Sequence, residues 1–175
     1  DDIDYVFDND DSGTISVGDR LLSVVEFGNS QGILAGQGPS NFEPAQELTA
    51  VADITVAQAI DVGGGEFQYV FAPSGASGVL NGFDVGTMVA VYLDNSPDLN
   101  VINAACGSQA NCMDLAGLGE TDGSDLFLTA GFFGDADALW ISSSLSGGAN
   151  LATVENGGSS TKFGSFNFAL DLGIN

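Results

Sequence analysis

Oxygen-bearing side chains are concentrated near the start of the chain, in the twelve residues DNDDSGTISVGD (8–19). Their spacing is that of an EF-hand calcium loop, in which alternate oxygen ligands curl around a hard cation. Gly13 stands at the sharp central turn, where glycine tolerates the tightest bend. The spacing predicts a bound calcium ion, with Ser16 acting through water. The predicted ligands are Asp8, Asp10, Ser12, Thr14 through its carbonyl, Ser16 and Asp19.

Two features of this segment depart from the EF-hand pattern. Its last position is Asp19 instead of the longer, bidentate Glu, and the preceding IDYVF alternates like a strand instead of forming a helix. A solvated turn of Asp and Gly residues between two strands would explain the same residues without a metal. The sequence leaves both interpretations open. Weaker acidic pairs occur elsewhere: Asp94 with Asp98, Asp122 with Asp125, and Asp135 with Asp137.

The overall charge restricts the possible partners of the protein. The 175 residues include 24 acidic residues against Arg20 and Lys162, which gives a formal net charge of −22. Such a surface repels nucleic acid and anionic membranes and attracts cations, and its self-repulsion is relieved by salt or divalent ions. No apolar run approaches the ~20 residues that a membrane-spanning helix needs. We therefore expect neither nucleic acid nor a membrane span.

The chain contains no histidine, and this excludes most catalytic sites. A Ser-His-Asp triad, a Cys-His pair and a histidine-ligated catalytic zinc all require that residue. A pair of carboxylates remains possible in principle, as in glycosidases. Acid catalysis, however, needs a carboxyl group in an apolar cleft, whereas most of these acids fall in glycine-rich turns. The sequence therefore predicts a protein that is not an enzyme.

Cys106 and Cys112 enclose five residues in CGSQANC. Two cysteines this close in a chain with one lysine are typical of a local disulfide in an exported protein. A loop this small would stabilise the fold by roughly 2 kcal/mol in the chain-entropy model. A metal pair is the alternative, but no further Cys or His would complete a soft site. One short helix is expected beside the pair, starting near Ser108 in SQANCMDLAGLG.

A two-residue period dominates the remainder of the sequence. ELTAVADITV, EFQYVF and SFNFALDL alternate as half-buried strands, whereas TMVAVYL and LFLTAGFF have the composition of central strands covered on both faces. Glycine-rich turns separate them. The pattern predicts a single all-β domain over 1–175, an antiparallel β-sandwich with glycine-rich loops. The main core strands are expected at 50–60, 67–71, 89–93, 127–132 and 166–172.

The N-terminal segment DDIDYVF (1–7) places Ile3, Tyr5 and Phe7 on one face, just before the acidic turn. Soluble proteins usually protect sheet edges with lysine or proline, and this chain has one lysine and four prolines. The segment is therefore a candidate donor strand that completes the sheet of a neighbouring subunit. The alternative is that it pairs within its own chain, as the first strand of its own domain.

Several motifs, taken in order, carry a family resemblance. After the acidic turn come ELTAVADITV, EFQYVFAPSG, VYLDNSPD, the cysteine pair, GFFGDADALW and FGSFNFALDL. This order resembles a group of exported bacterial proteins with PEP-CTERM sorting tails, over nearly the whole chain but through short motifs. The resemblance implies secretion, exosortase handling and a place at the cell surface or in an extracellular matrix. It implies no catalytic residues. The Pro-Glu-Pro motif of the group does not occur in this sequence.

The combined expectation is a secreted structural protein, the subunit of an extracellular filament or matrix. Identical subunits would be joined by strand pairing and stabilised by calcium. The alternative is a calcium-dependent carbohydrate-binding or adhesion module of the cell surface, with an extracellular polysaccharide as partner. Its sugar-binding aromatic side chains would be found among Trp140, Tyr92 and Tyr5.

Overall fold

The computed structural model describes residues 2–27, 47–94, 125–142, 145–146 and 166–174. These ranges contain ten strands and one turn of 3₁₀ helix (Gly75–Ser77). All strand pairs are antiparallel, and this confirms the predicted all-β class. The strands are β1 (Asp2–Phe7), β2 (Arg20–Phe27), β3 (Glu47–Gly63), β4 (Glu66–Pro73), β5 (Thr87–Asp94), β6 (Asp125–Gly131), β7 (Leu139–Ser142), β8 (Leu145–Ser146), β9 (Phe166–Ala169) and β10 (Asp171–Ile174).

Pairing joins these ten strands into one sheet, within the ranges just given. Its main path runs β10-β6-β5-β3-β4-β7-β9; β1 is attached through β2, and β8 through β4. The first and last strands of the path, β10 and β9, are separated in the chain by Leu170 alone. The sheet is therefore nearly closed on itself. Among the described helices, none is long and apolar enough to cross a membrane.

The long strand β3 organises the sheet, because its two parts have different partners. Residues 48–55 pair with β2 and residues 47–52 with β5, whereas residues 54–63 pair with β4. The alternation in this strand predicts one buried face. Instead, Thr49, Val51 and Asp53, on the supposed outer face, are as buried as Ala50 and Ile54. The first part of β3 has neighbouring strands on both edges and covering residues on both faces, so both sets of side chains are enclosed.

Two large apolar clusters, and a small one around Val6, form the core of the described residues. The first contains Leu22, Val24, Val51, Leu80, Ala90 and Tyr92, and the second contains Ile54, Val56, Tyr69, Phe71 and Met88. Tyr69 and Phe71 come from the predicted alternation in β4, and Phe67 packs beside them. Met88, Ala90 and Tyr92 belong to β5. Each of residues 87–93 is buried or half-buried, as expected for a central strand.

Two expectations about the C-terminal half are wrong. Phe127 on β6 is 45% exposed, although this strand was expected to be covered on both faces. The single strand expected at 166–172 is interrupted at Leu170, where pairing passes from β7 to β6. Leu170 packs on the second core cluster, while Phe168 and Leu172 are exposed. The change of pairing partner interrupts the alternation that would have placed all these side chains on one buried face.

Other sequence predictions lie outside the described residues. They are the disulfide between Cys106 and Cys112, the helix near Ser108, and the acidic residues Asp98 and Asp122. These, together with the single-domain boundary of 1–175, stay predictions.

Candidate cation site

The pairing of β1 with β2 brings the two ends of the acidic segment together. Phe7, the last residue of β1, pairs with Arg20, the first residue of β2. Asp8 and Asp19 therefore lie next to each other at the open end of this ladder. Asp10 reaches the same place, and one carboxylate oxygen from each of these three residues lies within 4.8 Å of the other two. In the described part of the chain, this is the one such convergence of three acidic side chains.

The backbone between these ends curls around the Asp8 carboxylate. The amides of Ser12 and Gly13 donate to Asp8 Oδ1 and Oδ2 at 3.1 and 2.7 Å. Asp11 and Gly13 have positive φ angles of 55° and 69°, which produce the tight curl. The predicted role of Gly13 as the sharp turn is therefore consistent with its backbone conformation.

The remaining predicted ligands lie in the same curl. The Ser12 hydroxyl donates to the Thr14 carbonyl at 2.9 Å, and the Ser16 hydroxyl donates to Asp10 Oδ2 at 3.0 Å. Of the six predicted ligands, Asp8, Asp10 and Asp19 have converging carboxylates, Ser16 joins them through Asp10, and Ser12 and Thr14 lie in the curl between them. This donor set suits a hard cation such as calcium, which would replace the hydrogen bonds that the ligands now make with one another.

Asp19 differs from the other two acids because it is 1% exposed. Its oxygens accept hydrogen bonds from the backbone amides of Asn9 and Ser16, at 3.0 and 2.7 Å. The backbone beside it pairs with β3, since the Gly18 amide donates to the Val56 carbonyl and the Val56 amide donates to the Asp19 carbonyl. Asp19 is therefore the fixed carboxylate of the group, while Asp10 is exposed at its rim.

Two pKa shifts follow from this arrangement. Hydrogen bonds from Ser12 and Ser16 lower the pKa of Asp10, because they stabilise its charged form. Burial raises the pKa of Tyr69, and the nearby negative charge of Asp19 raises it further. The Tyr69 hydroxyl donates to the Ile15 carbonyl at 3.3 Å, so this tyrosine lies under the acidic loop.

Arg20, directly after Asp19, forms a buried ion pair that sequence reasoning missed. Its Nε and Nη2 donate to the two carboxylate oxygens of Asp53, at 2.6 and 3.1 Å. The guanidinium also lies over the Phe7 ring, 4.4 Å from the ring centre. The available signal was one acid, Asp53, inside the apolar run LTAVADITV, in a chain that has a single arginine.

The residues predicted to contact a neighbouring subunit, Ile3, Tyr5 and Phe7, lie in a strand that pairs within its own chain in this structure. Tyr5 and Phe7 pack against the first core cluster, with their rings 4.9 Å apart, edge to face. The backbone of Ile3 pairs with Val24, and its side chain lies outside the described residues. Asp135 and Asp137 are exposed and do not join the acidic group.

The three candidate sugar-binding aromatics have different surroundings. Tyr92 is buried in the first core cluster. Trp140 packs on the second cluster, with ring contacts to Phe71 and Phe168. Tyr5 lines a cleft of about 700 Å³ beside the acidic loop. Of the three, Tyr5 is thus the one at an open, polar surface.

In comparisons with known proteins, no protein-family model, curated protein or solved structure matches the chain. Its chemistry is therefore inferred from its own geometry.

Proposed function

We propose that this chain is a secreted, non-enzymatic structural protein that assembles into an extracellular filament or matrix. The subunits are joined by exchange of the N-terminal strand and stabilised by calcium. One observation carries the proposal: β1 pairs with β2 alone among the described strands, and the cation-binding connection lies directly between the two. The resemblance to exported PEP-CTERM proteins and the absence of histidine support the location and the lack of catalysis.

Strand exchange reproduces contacts that the chain already makes. The β1–β2 register runs from Asp2 opposite Val25 to Phe7 opposite Arg20. A β1 strand from an identical subunit can take the same register and place Tyr5 and Phe7 on the same core cluster. The twelve-residue connection is then the hinge that opens. If each subunit gives its strand to the next, the contact is heterologous and generates a filament.

The positions of the acids explain how calcium would stabilise an exchanged strand. Asp8 follows β1 directly and Asp10 comes two residues later, whereas Asp19 directly precedes β2. When β1 of one chain lies on β2 of another, the same three carboxylates meet again. Two now come from the donor and one from the acceptor. A calcium ion at this place would therefore link the two chains and offset their repulsion at −22 each.

The first test is electron microscopy of the intact chain and of a chain lacking residues 1–7, with calcium and with chelator. We expect assemblies of the intact chain that depend on calcium or salt, and none from the shortened chain. Monodisperse monomers in every condition would contradict assembly. Filaments from the shortened chain would contradict strand exchange and leave assembly standing.

The second test mixes two variants, each of which lacks part of the calcium site. Asp8→Asn with Asp10→Asn removes the donor acids, and Asp19→Asn removes the acceptor acid, so neither variant alone should bind calcium tightly. In an exchanged pair, the donor acids of the second variant meet the acceptor acid of the first. Calorimetry of the mixture should therefore recover calcium binding. Binding by wild type without recovery in the mixture would contradict exchange but not the calcium site.

A further inference from the structure

The cleft beside the acidic loop lies between two walls that are distant in the sequence. One wall is the end of β1 with the start of the loop, and the other is the segment that follows β4. Tyr5, Phe7 and Asn9 line the first wall, and Ser74 and Ser77 line the second. The volume of about 700 Å³ is in the range of small-molecule binding sites.

The lining offers the groups that a sugar requires. Sugar hydroxyls both donate and accept hydrogen bonds. The Ser77 hydroxyl donates to the Ser74 carbonyl and the Asn9 side-chain amide donates to the Gly18 carbonyl, and the oxygen of each can accept from a sugar hydroxyl. The apolar faces of sugar rings pack on aromatic side chains, and Tyr5 lines this cleft, whereas the Phe7 ring beside it lies under the Arg20 guanidinium. Both Asn9 and Ser77 are exposed at the rim, within reach of a ligand from solvent.

A buried carboxylate holds the two walls in place. Asp53, which is 1% exposed, accepts hydrogen bonds from Arg20 beside the first wall and from the Ser74 hydroxyl on the second, the latter at 2.7 Å. It also accepts from the Val79 amide at 2.5 Å, which fixes the segment after β4. Asp53 thus holds the second wall directly and the first through Arg20, which lies over the Phe7 ring, so the cleft is formed before any ligand arrives and the cost of binding is lower.

The charge of the cleft selects the kind of sugar. Asp8 and Asp11 lie at its rim, and the one arginine in it is paired with Asp53. An acidic polysaccharide would be repelled by these carboxylates and by the net charge of −22. We infer that this cleft binds a neutral saccharide, a function separate from the assembly of subunits.

A second cleft of about 610 Å³ provides an internal comparison. It shares Pro73 and Ser74 with the first cleft, but Leu80, Phe83, Val85 and Phe132 give it a more apolar wall. With fewer hydroxyl and amide groups, it does not match the hydrogen-bonding capacity of a sugar. A substitution in this cleft therefore serves as the matched control.

The test measures binding of the intact chain to hexasaccharides by calorimetry. The neutral probes are cellohexaose, maltohexaose and chitohexaose, and the acidic probe is an alginate hexasaccharide. Ser77→Trp fills the proposed cleft from its exposed rim, and Val85→Trp places the same side chain in the second cleft, at a residue that is 98% exposed. Both variants change exposed residues, and a melting curve checks that each is folded.

We expect at least one neutral hexasaccharide to bind wild type and Val85→Trp equally, and Ser77→Trp to bind it about tenfold more weakly or worse. Asn9→Ala should weaken binding in the same direction. No neutral binding at millimolar concentration, tighter binding of the alginate probe, or unchanged binding by folded Ser77→Trp would each overturn the inference. Loss of binding only in Val85→Trp would overturn it too.

Discussion

Arg20 and Asp53 form a two-point ion pair inside the sheet, with Nε to Oδ1 at 2.6 Å and Nη2 to Oδ2 at 3.1 Å. Arg20 begins β2 and directly follows Asp19 of the acidic loop, whereas Asp53 lies on β3. The same carboxylate accepts hydrogen bonds from Ser74 and Val79. One buried acid therefore connects the cation site, the first core strands and the wall of the cleft.

Removing the charge of Asp53 should destabilise the fold strongly. Asp53→Asn leaves the Arg20 guanidinium buried without its counter-charge, and a broken buried pair costs about 3–5 kcal/mol. Denaturant unfolding would measure this loss of unfolding free energy. Asp84→Asn is the control, because Asp84 is exposed and such substitutions change stability by about 0.5 kcal/mol or less. Equal stability of the two variants would show that the ion pair contributes little.

Gly78 should be required for its small size. A Cβ atom at this position would lie 2.7 Å from Asp53 Oδ2 and 2.9 Å from Ser74 Cβ, both closer than normal packing allows. Gly78→Ala should therefore lower the unfolding free energy by about 1–3 kcal/mol, the usual cost of overpacking. Gly82→Ala is the matched control, since nothing lies within 4 Å of its added Cβ. Thermal melting of the two variants would compare them, and a stable Gly78→Ala would contradict the close packing.

The sequence predicted the fold class because strand alternation and glycine turns are local signals. It did not predict the burial of Asp53, because the partner Arg20 is 33 residues away and alternation alone does not reveal what covers a face. The error at Phe168 has a similar origin. Its strand changes pairing partner at Leu170, and that change depends on β6 and β7, which are far away in the chain.

The convergence of Asp8, Asp10 and Asp19 was predictable because the three lie within twelve consecutive residues, so that their spacing alone describes the curl. Calcium and the other three proposed ligands stay predictions. The cleft was not predictable. Tyr5 and Ser77 line opposite walls of the cleft. These walls face each other only after β1 has paired with β2 and Asp53 has fixed the segment that follows β4. Contacts between segments this distant leave no periodic pattern in the sequence.

The carboxyl group of Asp10 should titrate below its ordinary value of 3.8 in chelator. Its pKa is lowered in the folded state, so its contribution to stability is present above the unfolded value and is lost as the pH falls through the folded value. The Ser12 amide and the Ser16 hydroxyl each donate to the Asp10 carboxylate, both at 3.0 Å. NMR titration should show Ser12→Ala and Ser16→Ala each raising the pKa of Asp10. A carboxyl titration that neither substitution changes would contradict the hydrogen-bonded loop.

Tyr69 should report on the charge of the cation site beneath which it lies. Burial and the charge of Asp19 raise its pKa above 10.0, so the folded protein should lose stability as the pH rises past 10, where the unfolded tyrosine ionises first. Tyr69→Phe should remove this alkaline loss, and its difference spectrum from wild type isolates Tyr69 from the other two tyrosines. Asp19→Asn should lower the Tyr69 pKa while burial keeps it above 10.0, and the exposed control Asp84→Asn should leave it unchanged.

Calcium should act on Tyr69 in the same direction as Asp19→Asn, because a cation bound at Asp19 cancels the charge that disfavours the tyrosinate. Absorbance titration at alkaline pH should therefore give a lower Tyr69 pKa in calcium than in chelator for wild type. The difference should vanish in Asp19→Asn. A Tyr69 pKa that responds to Asp19→Asn but not to calcium would leave the acidic connection as a metal-free turn. A pKa that responds to neither would contradict the proximity of Asp19 and Tyr69.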